Sequence, residues 1–466
     1  MLVVEAPPGR VAERRWILDV VLADWLGLQW RLEQHDRGDV RIRLDGDPGG
    51  RAVTLPDTLL GIDDDRWLTP SSLPTDPLPV LTVDDPGSTP LRRGERIPVL
   101  YGASAPAVRV VHDEEGARVP VDVFGTAFAA LARYEEAVVP DRDRYGRFPA
   151  RASLAAREGL LTRPVVDACV EVLWSAFERV WPRLPRTAHA YRVLLTHDVD
   201  DPVSTWGRGP IDVALQVGAD VVRRRDAGLA ARRVRALLTR APDPHDTFGF
   251  LMDVSERHGL TSAFYFQAHH SADPRDGALY PMEHPRIRDL LGTVHARGHE
   301  VGYHAGFGTH LDAARTAAEF DLLRTVAERQ GVHQERWGGR QHYLQWAVGS
   351  TWRNWSDAGL DYDCTLAYAD AVGFRTGTSR EYQAFDVVGS RALALRERPF
   401  QVMDVTLFDY MGLPAGAASE AVLDIAAQCR RFRGTLGILW HNDSVLRTAR
   451  QKRWYASMIE AVAPGG

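Results

Sequence analysis

The chain has 466 residues, of which 45% are apolar and 25% charged, and its formal net charge is −6. That length is too great for one small core and suggests two or three domains. The balance is ordinary for a soluble globular protein and gives no general electrostatic reason to expect nucleic acid or an anionic membrane as partner.

Three cysteines, Cys169, Cys364 and Cys429, lie far apart. They suggest neither a disulfide framework nor a cysteine zinc site, which fits a reducing compartment. Residues 1–15 hold charges and two prolines and no apolar stretch of the kind a signal peptide needs. No apolar run approaches the ~18 residues of a membrane span. The expectation is a cytoplasmic protein with no membrane span, able to form oligomers.

In chain order, residues 11–27 carry apolar groups at helical spacing, with Gly27 as a stop. Short β-type runs follow at 40–44, 52–56 and 97–102, separated by a Pro/Asp/Gly-rich loop at 69–90. Helical patterns cover 122–137 and 164–181, the latter behind Pro164. Residues 1–185 therefore read as a smaller α+β domain without an obvious site. From residue 190 to 466 the texture is α/β. The apolar runs 192–196, 262–266, 300–304 and 436–441 alternate with helical stretches such as 283–297 and 311–330, as in a parallel sheet or barrel. The segment 223–240 is arginine-rich and reads as a solvated helix face.

Polar residues fall at the ends of these runs: Asp198, His304 and His441. Side chains at the C-terminal strand ends of an α/β barrel converge on one face, where active sites form. Asp198 and Asp200, two apart, share a face of an extended strand. Two crowded carboxylates resist ionising together unless a cation joins them. One would then bind metal and the other accept a proton. His304 at a strand end is a good ligand for zinc or another first-row ion, and His310 follows past two glycines. Arg340 can orient a carboxylate, and His342 can serve as ligand, as a donor behind one, or as a substrate contact. His441 suits a general acid that protonates a leaving amine. Asp361 or Asp363 could hold it charged. Tyr343, Asp363, Arg375 and Trp440 lie in or beside these clusters and are the expected substrate contacts.

The runs THDVD (196–200), GHEVGYHAGFGTH (298–310), RQHYL (340–344) and ILWHND (438–443) together resemble the NodB-type polysaccharide deacetylases, carbohydrate esterase family four. The runs DVFGTAFAALARYEE (122–136) and RDRYGRF (142–148) resemble a branch of that family with an extra N-terminal domain. The resemblance implies a distorted (β/α) barrel of the NodB type. It implies Asp198 as general base, Arg340 as its partner, Asp200 and His304 as metal ligands and His441 as catalytic acid. One divalent ion is implied, zinc first, with cobalt, nickel, manganese or iron also suited. The family's second metal histidine falls on Gly308 here. The third ligand is then expected from His342 or His310, with His342 favoured because it lies in the RQHYL run. The expected activity is a metal-dependent N-deacetylase acting on an intracellular N-acetylated sugar, a glycoconjugate precursor or a small metabolite. The alternatives are another C–N hydrolase for a cyclic amide, formyl or ureido group, or a non-catalytic binding protein with a degenerate site.

Overall fold

A computed structural model describes residues 1–465 except 205–209, 223–225, 240–242, 269–272, 277–279, 445 and 447. The first strands are β1 (Leu2–Ala6), β2 (Trp30–Gln34), β3 (Asp39–Leu44), β4 (Ala52–Pro56), β5 (Val80–Thr82), β6 (Arg96–Pro98), β7 (Ala107–Val108), β8 (Val111–Asp113) and β9 (Gly116–Arg118). They form a six-stranded sheet in the order β2-β1-β3-β4-β9-β8 and a small three-stranded sheet in the order β6-β5-β7. Three runs read as strands in the sequence are strands, although 97–102 is so only over its first residues. β1 was not expected, because its five apolar and acidic residues are all buried and show no alternation.

Helix α1 (Val11–Leu18) continues as a wider winding over Asp19–Trp25, so the expected helix is present in two forms. The expected helix at 122–137 is broken. α2 (Val123–Leu131) ends before Arg133, whose φ of 56° places it in the left-handed region, and α3 (Tyr134–Val138) follows. Asp122 caps α2 by accepting from the Gly125 N–H at 2.7 Å, and its other oxygen accepts from Thr58 and Leu59. After α4 (Leu154–Arg157), α5 (Val165–Val180) is amphipathic and almost wholly buried.

The second half builds a nine-stranded sheet. Its strands are β10 (Arg192–Val199), β11 (Ser262–Gln267), β12 (Glu300–Ala305), β13 (Gly338–Gln341), β14 (Tyr362–Asp363), β15 (Tyr382–Asp386), β16 (Arg391–Glu397), β17 (Val402–Met403) and β18 (Thr435–Leu439). The order is β15-β16-β14-β13-β12-β11-β10-β18-β17. All neighbours are parallel except β15 and β16. The mixed α/β class is therefore as expected. Among the described residues the hydrogen bonding ends at β15 and β17 and does not close into a ring.

β10, β11, β12 and β18 are near-continuous apolar runs, because helices cover the faces of a parallel sheet. The helices Pro285–Ala296 and Ala313–Arg329 lie where the sequence predicts them. The basic segment is helical over α7 (Ala227–Leu238), which packs on α6 (Pro210–Val222). Arg223, Arg224, Arg225 and Arg240 of that segment lie outside the described residues.

One continuous cluster of buried apolar residues runs from Leu2 to Val462 and includes both large sheets' side chains. Trp16 is part of the join: its ring lies 4.9 Å from that of Phe385 and its indole N–H donates to the Gln383 carbonyl. Glu136 at the end of the DVFGTAFAALARYEE run accepts two hydrogen bonds from Arg375, at 2.9 and 2.7 Å, and one from Arg133.

Candidate active site

The C-terminal ends of β10, β12, β13 and β18 bring their polar residues to one place. β10 and β12 flank β11, so Asp198 and His304 come from strands one apart in the sheet. Arg340, on β13, is paired in register with His304. Its buried guanidinium donates to Asp198 Oδ1 at 2.7 Å, to Thr196 Oγ1 at 2.9 Å and to the Cys364 carbonyl at 2.7 Å. It also stacks 4.3 Å over the Phe400 ring. Arg340 is thus fixed on every side, and one oxygen of Asp198 with it.

His304 lends its Nδ1–H to the Arg340 carbonyl at 3.0 Å. In the neutral imidazole that bond leaves Nε2 as a lone pair. Nε2 lies 3.0 Å from Asp200 Oδ1 and 3.7 Å from Asp198 Oδ2, yet makes no hydrogen bond although it is fully buried. A buried lone pair facing carboxylate oxygens is destabilising unless a cation sits between them. His342 completes the group: its Nε2 is 3.6 Å from Asp200 Oδ1, and its Nδ1 lies 3.2 Å from Asp276 Oδ1. The ligand atoms of Asp200, His304 and His342 all lie within 4.8 Å of one another. Two imidazoles, each tied through its far nitrogen to an oxygen, and one carboxylate fit a zinc-type ion.

The electrostatics agree. Burial alone would raise the Asp200 carboxyl, but His342, His304 and His441 outweigh it and hold it well below the usual carboxylate range. Burial pushes the His304 imidazole toward neutrality, and Asp198 and Asp200 pull it back above its ordinary value. The point between these side chains therefore attracts positive charge.

His441 follows β18. Its Nδ1 lies 2.7 Å from Asp404 Oδ1, its backbone N–H donates to Asp404 Oδ2 at 3.0 Å, and its Nε2 is 3.7 Å from Asp200 Oδ2. Burial works against the imidazolium, but the Asp404 carboxylate raises the His441 pKa well above its ordinary value.

A cavity of about 230 Å³ opens on this group. Asp198, Asp200, His342 and His441 supply its polar side, and Leu344, Met403, Val405 and Leu439 an apolar wall. Arg147, Tyr343 and Tyr410 complete it. Arg147 belongs to the RDRYGRF run, far from the other site residues in sequence. It donates to the Tyr343 carbonyl at 3.1 Å and to the Tyr410 hydroxyl at 2.8 Å, and Asp143 holds its other side. Tyr343 and Leu344, directly after His342, both have left-handed backbones, with φ of 59° and 57°. Gln345 next to them donates to the Tyr145 carbonyl at 2.7 Å. Residues 143–147 thus clasp the strained turn that carries His342.

The structure brings together Asp198, Asp200, His304, Arg340, His342, Tyr343 and His441. It does not bring four other predicted residues to the cavity. His310 lies outside the ligand group that contains Asp200; it is buried, and burial lowers its imidazole pKa to about 4. Arg375 is spent on Glu136. Asp363 accepts from the Thr365 hydroxyl beside buried Glu397. Trp440 is fully buried, its ring 5.6 Å from Trp454 and 5.1 Å from Tyr455. The partner of His441 is Asp404, not Asp361 or Asp363; Asp361 accepts from the Trp337 N–H. Asp404 and Asp276 were missed. Asp404 follows a two-residue strand, and the only signal was an acid directly after the apolar pair Val402–Met403.

An α/β sheet with an Asp/His/His ligand group, a second fixed carboxylate and a carboxylate-paired histidine defines a candidate hydrolytic metal centre. A family of unknown function (DUF7033) matches residues 2–182. No curated protein matches the chain. Among solved structures, the chain is similar to a candidate polysaccharide deacetylase from Mycobacterium smegmatis, at 16% identity over 60% of this chain and 86% of that one, with a TM-score of 0.40. A family 4 carbohydrate esterase from Streptomyces lividans, in complex with acetate, is 13% identical over 59% of this chain and 90% of that one, with a TM-score of 0.29. Puue allantoinase is 13% identical over 58% and 83%, with a TM-score of 0.36.

Proposed function

We propose that this chain is a metal-dependent amide hydrolase, an N-deacetylase of an N-acetylated sugar, glycoconjugate precursor or small metabolite of the cytoplasm. The catalytic part, a NodB-type barrel from residue 190 onward, would work with residues 1–185 packed against it. The observation that carries the reading is the buried, unpartnered Nε2 of His304 between Asp200 and Asp198. His342 answers the position that Gly308 leaves without a ligand.

Asp200, His304 and His342 would hold one divalent ion, zinc first. When bound, the ion supplies Lewis acidity for an amide carbonyl and for an attacking water. Asp198 keeps Oδ2 for the water's proton, because Arg340 occupies Oδ1. The buried guanidinium beside it also fixes the carboxylate in orientation. His441, held cationic by Asp404, donates its Nε2 proton to the departing amine nitrogen. The wall of Leu344, Met403, Val405 and Leu439 suits a small acyl group and excludes water from it.

Elemental analysis of the purified chain tests this. About one equivalent of transition metal is expected in the wild type. His304→Ala and His342→Ala should each lose it, while His310→Ala should keep it. Metal-free protein after incubation with zinc, cobalt and manganese would overturn the reading. A metal-loaded protein inactive on N-acetylated sugars and small amides, but active on cyclic amides or ureides, would move the substrate and keep the centre.

A further inference from the structure

We infer that Asp276 is the positioning residue that makes His342 a ligand: its carboxylate holds the imidazole proton on Nδ1 and so leaves the Nε2 lone pair facing Asp200. What that lone pair would bind rests on the metal-centre reading above. Asp276 ends a short turn, Pro274–Asp276, in the connection that follows β11, and its side chain is fully buried. Its Oδ1 lies 3.2 Å from His342 Nδ1, and its Oδ2 lies 3.5 Å from the Arg315 guanidinium.

Two neighbours compete for His342 Nδ1. The side-chain amide nitrogen of Gln267 lies 3.4 Å from it, and Asp276 Oδ1 lies 3.2 Å from it. An amide nitrogen only donates, so a bond from Gln267 would need a bare Nδ1 and would put the ring proton on Nε2. A carboxylate offers lone pairs, so a bond to Asp276 needs the proton on Nδ1. Two observations favour Asp276. It is the nearer partner, and a hydrogen bond to a carboxylate is about twice as strong as one between neutral groups. His342 Nε2 is also 3.6 Å from Asp200 Oδ1, farther than a protonated Nε2 would sit from that oxygen. The Gln267 amide instead donates to Asp200 Oδ1 at 3.1 Å. The tautomer with a bare Nε2 is the one that can ligate.

Asp276 is in turn placed by the segment that carries Gly308. The successive N–H groups of Gly306, Phe307 and Gly308 donate to Glu319 Oε2 at 3.0 Å, to Asp276 Oδ1, and to Gln345 Oε1 at 2.8 Å. Arg315 donates to Glu319 at 2.7 Å and to the Phe307 carbonyl at 2.8 Å. A Cβ on Gly306 would stand 2.3 Å from Arg315 Nη2, so this close packing requires glycine there. The loop that offers no imidazole at Gly308 thus gives its Phe307 amide to Asp276, and the same carboxylate oxygen reaches His342. A carboxylate behind a ligating imidazole fixes the ring and makes it a stronger ligand.

The position of one proton tests this, and it can be read without metal. Long-range proton–nitrogen NMR spectra of the metal-free full chain, labelled in its histidine nitrogens, separate the two tautomers. At about pH 8.5, roughly two units above the pKa of a free histidine side chain, the wild type should carry the His342 proton on Nδ1. His342→Gln identifies the signal. A wild-type proton on Nε2 overturns the inference with no variant needed, so the wild type decides even if a variant misfolds. Asp276→Asn, whose amide can donate to Nδ1, should move the proton to Nε2. It should also weaken zinc binding roughly 10- to 100-fold, read by competition with a chelating dye. A loss of packing alone would weaken binding and leave the tautomer unmoved, and that result overturns the inference. So does a displaced proton with zinc affinity within about twofold of wild type. A wild type that binds no zinc, yet shows an Nδ1 proton that Asp276→Asn displaces, would remove the metal centre and keep the hold of Asp276 on His342.

Discussion

Asp198 has one oxygen bound to Arg340 and one facing Nε2 of His304, so its chemistry can be separated from the ligand group. Asp198→Asn keeps the size and the bond to Arg340 but removes the base. Metal content should stay within about twofold of wild type while turnover falls roughly 10³-fold. Near-normal turnover in that variant would reassign the base. Asp404 acts through His441, which it holds in place and in charge. Asp404→Asn should lower turnover about 10²-fold on ordinary amides. The loss should shrink on anilides with electron-poor leaving groups, which need less proton donation; a uniform loss across leaving groups would mark Asp404 as structural only. At this scale, what the sequence revealed follows a physical line. Asp198, His304 and His441 stand directly behind apolar runs long enough to read as buried strands. Asp404 follows a two-residue strand and Arg147 sits on a loop some fifty residues before β10, so neither has local periodicity to announce it.

The elements that were legible are those whose burial writes a pattern. β10, β11, β12 and β18 are apolar runs, and α5 has a strong helical stripe. β13 has the sequence GGRQ, which carries no such signal, yet lies in the middle of the sheet. Its glycines are there because the strands approach closely: a Cβ on Gly339 would stand 1.7 Å from the Tyr303 carbonyl oxygen. The turn after β13 is where the N-terminal part enters the site. Two successive left-handed residues cost about 1–3 kcal/mol each and persist only when their surroundings hold them. Arg147 and Tyr145 supply that hold. Arg147→Met should therefore weaken metal affinity roughly tenfold, read by competition with a chelating dye, without loss of folded structure. Tyr343→Gly in the same background relieves the left-handed strain and should restore part of the affinity. Unchanged affinity in Arg147→Met would show that the turn holds itself.

At the scale of the whole molecule, the sequence's change of texture near residue 185 suggested two domains, while the buried apolar cluster runs from Leu2 to Val462 without interruption. The join also holds a buried charge group. Glu136 lies between Arg133 and Arg375, and although burial raises its carboxyl, Arg375 and then Arg133 bring it down to about 2 from an ordinary 4.5. A carboxylate depressed in the folded state binds fewer protons there than in the unfolded chain. Its contribution is present above pH 4.5 and is lost as pH falls from about 4.5 toward 2, a change of roughly 3 kcal/mol. Glu136→Gln leaves two buried guanidinium groups without their charge partner and should destabilise the protein by about 3–5 kcal/mol at neutral pH. It should also flatten the acid limb of stability between those pH values. Because Glu136 and Arg375 sit on opposite sides of the expected boundary, the loss should appear in the whole molecule. Denaturant unfolding followed by tryptophan fluorescence and by far-UV circular dichroism should give one coincident transition in the wild type, moved to lower denaturant in Glu136→Gln. Two separate transitions, with only the first displaced, would mean that residues 1–185 and 190–466 fold as independent units, and that the shared core is an interface between them.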